Sequence, residues 1–286
     1  MHTEKLTFTG HDTFHCRSFW LKKGVDFLED SGEFVADEAV MRLGVGKNMV
    51  ASIHFWLRAF GIKEENGSVS ELANSMFTKG GWDEFLENPG SLWIWQYHLV
   101  NLGRASIYQL FFKEFRKQQR RNQFTKTQLE QFLKRKSEGK VADKTLNNDI
   151  KVFIKMYLVE DKMGKGVEDD LSSMFIDLNL ISEVDTSEKE HTYQLRVDMK
   201  KEIPSPIFLY CILDAFPERE SISMDEIIYE VGDALVCTNE GVERHVGKLC
   251  EWYPQQVVFK EDAGRKEVQI DQGLDKWEEL KKYYNG

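Results

Sequence analysis

DEAVMRLGVGKNMVASIHFWLRAFGIKEENGSVSELANSMF, residues 37–77, is the stretch that decides the fold. Ala39, Val40 and Leu43 make the apolar stripe of a short helix, and Gly44-Val45-Gly46 marks a tight turn. Asn48 is placed to cap a second helix, with Met49, Val50, Ile53, Trp56, Leu57 and Phe60 recurring at three- and four-residue spacing. Gly61 follows, where a residue of positive φ commonly closes a helix. Two short helices joined by a glycine-bearing turn describe a helix-turn-helix. Ile62 to Val69 then reads as two short strands around an Asn66-Gly67 turn, the wing of a winged helix. The stretch predicts a DNA-reading module.

The pattern recurs, more loosely, further along. Before the module, Phe19, Trp20, Val25, Phe27 and Leu28 give a first helix. After Asn88-Pro89-Gly90, two strongly apolar helices carry Leu92, Trp93, Trp95 and Leu99, then Ile107, Leu110, Phe111 and Phe115. A threonine start signal precedes Leu129, Phe132 and Leu133, and a longer helix follows with Leu146, Ile150, Phe153, Ile154 and Leu158 inward. Residues 161–190 read as polar and irregular, with a strand over Met174–Ile181. From Ser205 a third unit follows, ending in two strands around Asp262-Ala263-Gly264 and a terminal amphipathic helix. The expected fold is mainly α: tandem winged helix-turn-helix-like units with small β-hairpin wings, divided at 1–87, 88–194 and 195–286.

The chain has 286 residues, 41% hydrophobic and 30% charged, ordinary values for a globular protein. No apolar run approaches the ~20 residues that span a bilayer, and the start has no signal-peptide pattern. Cys16, Cys211, Cys237 and Cys250 form no C-x-x-C pair, which predicts reduced thiols and a cytoplasmic protein. A net charge of −10 argues against a duplex-wrapping protein. Yet Lys113 to Lys155 holds thirteen Lys or Arg against five Asp or Glu, a local electrostatic footprint. No phosphate-loop or dinucleotide fingerprint occurs, so no nucleotide cofactor is expected.

The candidate DNA contacts follow from this. Lys47 and Arg42 would hold phosphates, while Asn48, Ser52 and Arg58 project from the first recognition helix. Lys113, Arg116, Lys117, Arg120 and Arg121 would lie along one helix, and Lys144 and Lys151 join Asn147 and Asn148 on the outer face of a later one. Each set serves equally as a solvated face or a protein contact. His11-Asp12-x-x-His15-Cys16-Arg17 is the densest polar cluster. His11, Asp12 and His15 either hold a divalent metal, magnesium or manganese if the chain cleaves DNA, with Arg17 on the phosphate, or form a capped turn. Tyr108 is either a nucleophile toward a phosphodiester or a core residue.

GHDTFHCRSFWLKKG, AVMRLGVGKNMVASIHFWLRAFG, SLWIWQYHL and IYQLFF together resemble a bacterial family long labelled as a domain of unknown function. That family is met beside genes for DNA phosphorothioate modification, and one member is described as a DNA nickase of single-strand phosphorothioation systems. The resemblance implies duplex DNA as substrate and a cysteine desulfurase, an ATP-dependent sulfur-transfer protein and an ATPase as partners. It carries over no catalytic residue set. A homodimer, a non-cleaving regulator and a non-enzymatic adaptor remain open at this point.

Overall fold

Trp20, Leu21, Val25 and Phe27 give the first helix, α1 (Ser18–Glu29), a buried side that lies against the three helices after it. These are α2 (Glu38–Leu43), α3 (Lys47–Ala59) and α4 (Glu71–Phe77). The computed structural model describes residues 6–35, 37–158, 173–185 and 190–286, and it separates into two units, Met1–Arg196 and Val197–Gly286. The chain is mainly α, and the described residues hold two small antiparallel sheets of three strands each. Among the described residues no helix is long and apolar enough to cross a membrane.

The two helices and the glycine turn expected over residues 38–59 are present, with two corrections. Gly46, not Asn48, occupies the cap position of α3, and Asn48 lies exposed in its first turn. Gly61 ends the helix as expected, at φ +72°, where a side chain would also strike Leu102. The Asn66-Gly67 turn forms, but the hairpin around it is reduced to one bridged pair, Lys63 with Val69. The next helix, α5 (Pro89–Asn101), is apolar all round and sits in the core. Asp83 anchors its start by accepting the Glu87 and Asn88 N–H groups and the Ser91 hydroxyl.

The expected second apolar helix is not one helix. It begins as α6 (Ser106–Gln109), widens into a π turn over Leu110–Glu114 and tightens into a 3-10 turn over Phe115–Gln118. Leu110, Phe111, Phe112 and Phe115 are all buried. A regular helix would direct one of four so closely spaced side chains outward, so the backbone changes pitch to keep all of them inside.

Strand β1 (Gln123–Thr125) runs directly into α7 (Lys126–Lys136), since Thr125 ends one and caps the other. Its hydroxyl accepts the Gln128 N–H while the Gln128 side chain accepts the Thr125 N–H. Then come α8 (Asp143–Tyr157), β2 (Ile181–Asp185) and β3 (Thr192–Leu195), with β3 central in the sheet. The strand expected over Met174–Ile181 is therefore displaced: a 3-10 turn takes Ile176–Leu178 and the strand starts at Ile181. The polar stretch expected to be irregular falls partly, at 161–172 and 186–189, outside the described residues.

The second unit repeats this order. Helix α9 (Ser205–Ala215) precedes β4 (Ser221–Ser223), and Ser223 both ends β4 and caps α10 (Met224–Ile227) in a reciprocal pair with Glu226. Helix α11 (Asn239–Trp252) leads to β5 (Val257–Asp262) and β6 (Arg265–Ile270), β6 again central, and α12 (Lys276–Asn285) packs on α9. The Asp262-Ala263-Gly264 hairpin forms as expected. Trp252, the last residue of α11, is 60% exposed.

Candidate nucleic-acid interface

Helix α8 has two opposed faces. Leu146, Ile150, Phe153 and Ile154 are buried, as their spacing requires. On the other side Lys144 and Lys151 are exposed and Asn148 is half-exposed, at positions i, i+7 and i+4 of one stripe. Among the described residues neither lysine pairs with a carboxylate. Asn147, expected on this stripe, is spent elsewhere: its amide donates to Glu130 Oε1 at 2.9 Å and to the Asp143 carbonyl at 3.0 Å. The result is a short basic face with one unengaged carboxamide, a chemistry suited to phosphates and base edges.

Helix α3 keeps part of its expected outer face. Lys47, Asn48 and Arg58 are exposed. Ser52 is not: it is fully buried and its hydroxyl donates to the Phe14 carbonyl at 3.5 Å, beside the Trp56 indole N–H at 3.1 Å. Arg42 is stapled to the end of α1, donating to the Asp30 carbonyl at 3.0 Å, near Glu38, with its guanidinium 4.8 Å from the Phe27 ring centre. Arg17 lies over Trp20 at 5.2 Å. Lys113 is 5% exposed, and Arg116 donates back to the Phe112 carbonyl, so the pitch change scatters the basic run. Lys117, Arg120 and Arg121 stay exposed, Arg121 at φ +59°.

Near the end of α3, Arg58, Lys63 and Arg104 border a cleft of about 560 Å³ with Thr7, His54 and Phe55. Lys63 carries no mark in the sequence, and Arg104 stands out there only as a neighbour of Tyr108; the glycine turns at 61 and 103 bring both to Arg58. The Lys63 ammonium donates to His54 Nε2 at 3.3 Å, and the His54 ring stacks on Phe34 at 4.7 Å. Burial first, then Lys63 and Arg58, lower the His54 pKa to about 4. A histidine held neutral in the fold stabilises it above its usual value of 6.5 and stops doing so as pH falls toward 4. We expect His54→Gln to flatten the decline of Tm between those pH values, measured beside the parent protein; parallel curves would remove His54 as the cause.

The His11-Asp12-His15 cluster does not converge on a common point. His11 is buried, and its Nε2 lies 3.0 Å from Asp149 on the inner face of α8. Because the Thr13 N–H donates to Nδ1, at 3.2 Å, the proton is assigned to Nε2, which donates to the carboxylate. The Thr9 N–H donates to the same Asp149 oxygen at 3.1 Å. Gly10 sits between them at φ +104°, where a Cβ would lie 2.6 Å from the Phe55 ring. His15 is buried, Asp12 is exposed, and no group of three His, Cys, Asp or Glu among the described residues can hold a metal. The loop is a structural latch, and Asp149 is the partner that sequence spacing could not reveal.

Tyr108 is also interior. It is 1% exposed, packed on Trp56, Phe153 and Tyr157, and its hydroxyl has no hydrogen-bond partner among the described residues. Burial, chiefly, pushes the phenol well above its usual pKa, the reverse of what a nucleophile needs. Removing an unpartnered buried hydroxyl relieves a desolvation penalty. Tyr108→Phe is therefore expected to leave Tm unchanged or raise it by a few degrees, read by thermal unfolding.

No curated protein matches the chain in sequence. Two solved structures are similar to it: SspB with a magnesium ion bound, at TM-score 0.83, and SspB, at 0.82. Each is 25% identical, over 98% of this chain and 88% of the other. A family model described as a protein of unknown function, DUF4007, matches residues 8–284, and the chain belongs to that family.

Proposed function

We propose that the chain is a DNA-binding component of a bacterial phosphorothioate modification and defence system, gripping duplex DNA with the outer face of α8. The observation that carries this is the stripe of Lys144, Asn148 and Lys151, exposed and unpaired with any carboxylate among the described residues. The order of elements supports it: β1, α7, α8, β2, β3 fits a reading in which α8 is the reading helix of a winged helix and β2–β3 its wing. Lys47 and Asn48 on α3, and Arg120 and Arg121 before β1, supply further phosphate contacts.

Nicking of one strand rests on likeness to SspB, not on a residue set. One SspB structure holds magnesium. His11, held by Asp149, and the scattered His15 and Asp12 do not fit such an ion, so they are not assigned to one.

A second role is favoured by the second unit. Its corresponding helix, α11, exposes Glu240 near its start and Glu251 beside Trp252 at its end, while Glu243 pairs with Lys266, a face that suits a partner protein such as a system ATPase better than phosphate. The test is a duplex titration at several salt concentrations beside supercoiled plasmid with and without magnesium or manganese. Binding that weakens steeply with salt, with open-circle product, supports the nickase. Binding without cutting leaves a regulator; neither leaves an adaptor.

A further inference from the structure

Arg58, Lys63 and Arg104 come from three segments: the end of α3, the first arm of the 62–69 hairpin and the loop after α5. Arg104 is fixed there by donating to the Arg58 carbonyl at 3.0 Å, and Lys63 by its bond to His54. Among the described residues no carboxylate pairs with any of the three cations. Like charges gathered on one concavity repel, and the repulsion is relieved when an anion enters. Phe55 supplies an aromatic wall, steadied by the edge of His11 at 5.6 Å, by Trp56 at 5.0 Å and by the close approach of Gly10.

The cleft's size narrows the ligand. About 560 Å³ falls among sites for small molecules, whereas a duplex presents a broad convex surface. Glu64 and Glu65 also border it, exposed on the hairpin, and Glu64 accepts the Ser68 hydroxyl. Their charges disfavour a long polyanionic front more than a single phosphate.

We propose that this cleft holds one unpaired nucleotide of a DNA strand, its phosphate among Arg58, Lys63 and Arg104 and its base against Phe55. This rests on the DNA-binding reading above, and places Arg58 in the nucleotide site instead of on the duplex. Protein recognition of an extruded nucleotide commonly combines a charged clamp with an aromatic face.

The test is fluorescence anisotropy with an intact duplex and with the same duplex carrying a one-nucleotide bulge. The parent protein should prefer the bulged duplex by about tenfold, the scale of one stacked base. Arg58→Gln with Arg104→Gln should abolish that preference and leave intact-duplex affinity within about twofold, and Phe55→Leu should weaken it in part. Thermal unfolding of each variant confirms that it folds. Deoxynucleoside monophosphate competing at the bulge-dependent fraction, where inorganic phosphate alone does not, supports a nucleotide site; phosphate competing equally overturns the base contact. A parent protein that binds both duplexes equally overturns this inference while the DNA reading stands. Binding to neither duplex ends both. Variants that lose both duplexes together make these arginines general backbone contacts and also overturn it.

Discussion

Asp149→Ala is expected to destabilise the first unit by about 2–4 kcal/mol, chiefly the cost of stranding the buried His11 Nε2–H. Asp149 is 3% exposed and accepts from both His11 Nε2 and the Thr9 N–H. Removing it leaves the buried His11 N–H without a partner, at roughly 1–3 kcal/mol, and also frees the part-buried Thr9 N–H, which water can reach at a smaller cost. Asp149→Asn keeps an acceptor oxygen in place and should cost less, about 1–2 kcal/mol. Urea unfolding followed by tryptophan emission reads this directly, since Trp20, Trp56, Trp82, Trp93 and Trp95 all lie in the first unit. A loss below about 1 kcal/mol for the alanine variant would show that the loop is held by packing and not by this carboxylate.

Reversing Lys144 and Lys151 together is expected to weaken duplex binding about 100-fold at low salt. Each lysine that neutralises a phosphate contributes about one counterion to release, and glutamate replaces that gain with repulsion. The plot of log affinity against log salt should become shallower by about two. Both side chains are exposed on the solvent face of α8, so the fold should survive the change. Lys260→Glu, at an exposed lysine of the β5–β6 hairpin outside α8, serves as the charge-reversal control, with a change of about twofold at most. If the double reversal does no more than that control, α8 is not the reading helix.

What could be read from the sequence was what repeats locally. The α2–turn–α3 pair followed from apolar periodicity and two glycine turns, and the threonine cap of α7 from the preference of hydroxyls for helix starts. The Lys144 and Lys151 face was legible for the same reason: one stripe points in, so its complement points out. Ser52 was misplaced because a short polar residue within a periodic stretch carries no mark of which side it takes; a carbonyl from residue 14 draws it inward. The single helix expected through Lys113 failed because four neighbouring apolar side chains outbid the regular pitch. The latch and the cleft were invisible for a different reason. His11 meets Asp149, and Arg58 meets Arg104, across separations that only the folded backbone closes.

The Thr9–Asp149 bond also has a consequence for biosynthesis. Its two ends are 140 positions apart. At roughly 5–20 residues per second, a ribosome needs about 7–30 s after making the first before it makes the second. During that interval the opening segment has no carboxylate to close upon, and Trp56 and Phe55 lack their cover. A nascent chain stalled before α8 should therefore be cut by protease near residue 10, and one stalled well beyond it should be resistant there.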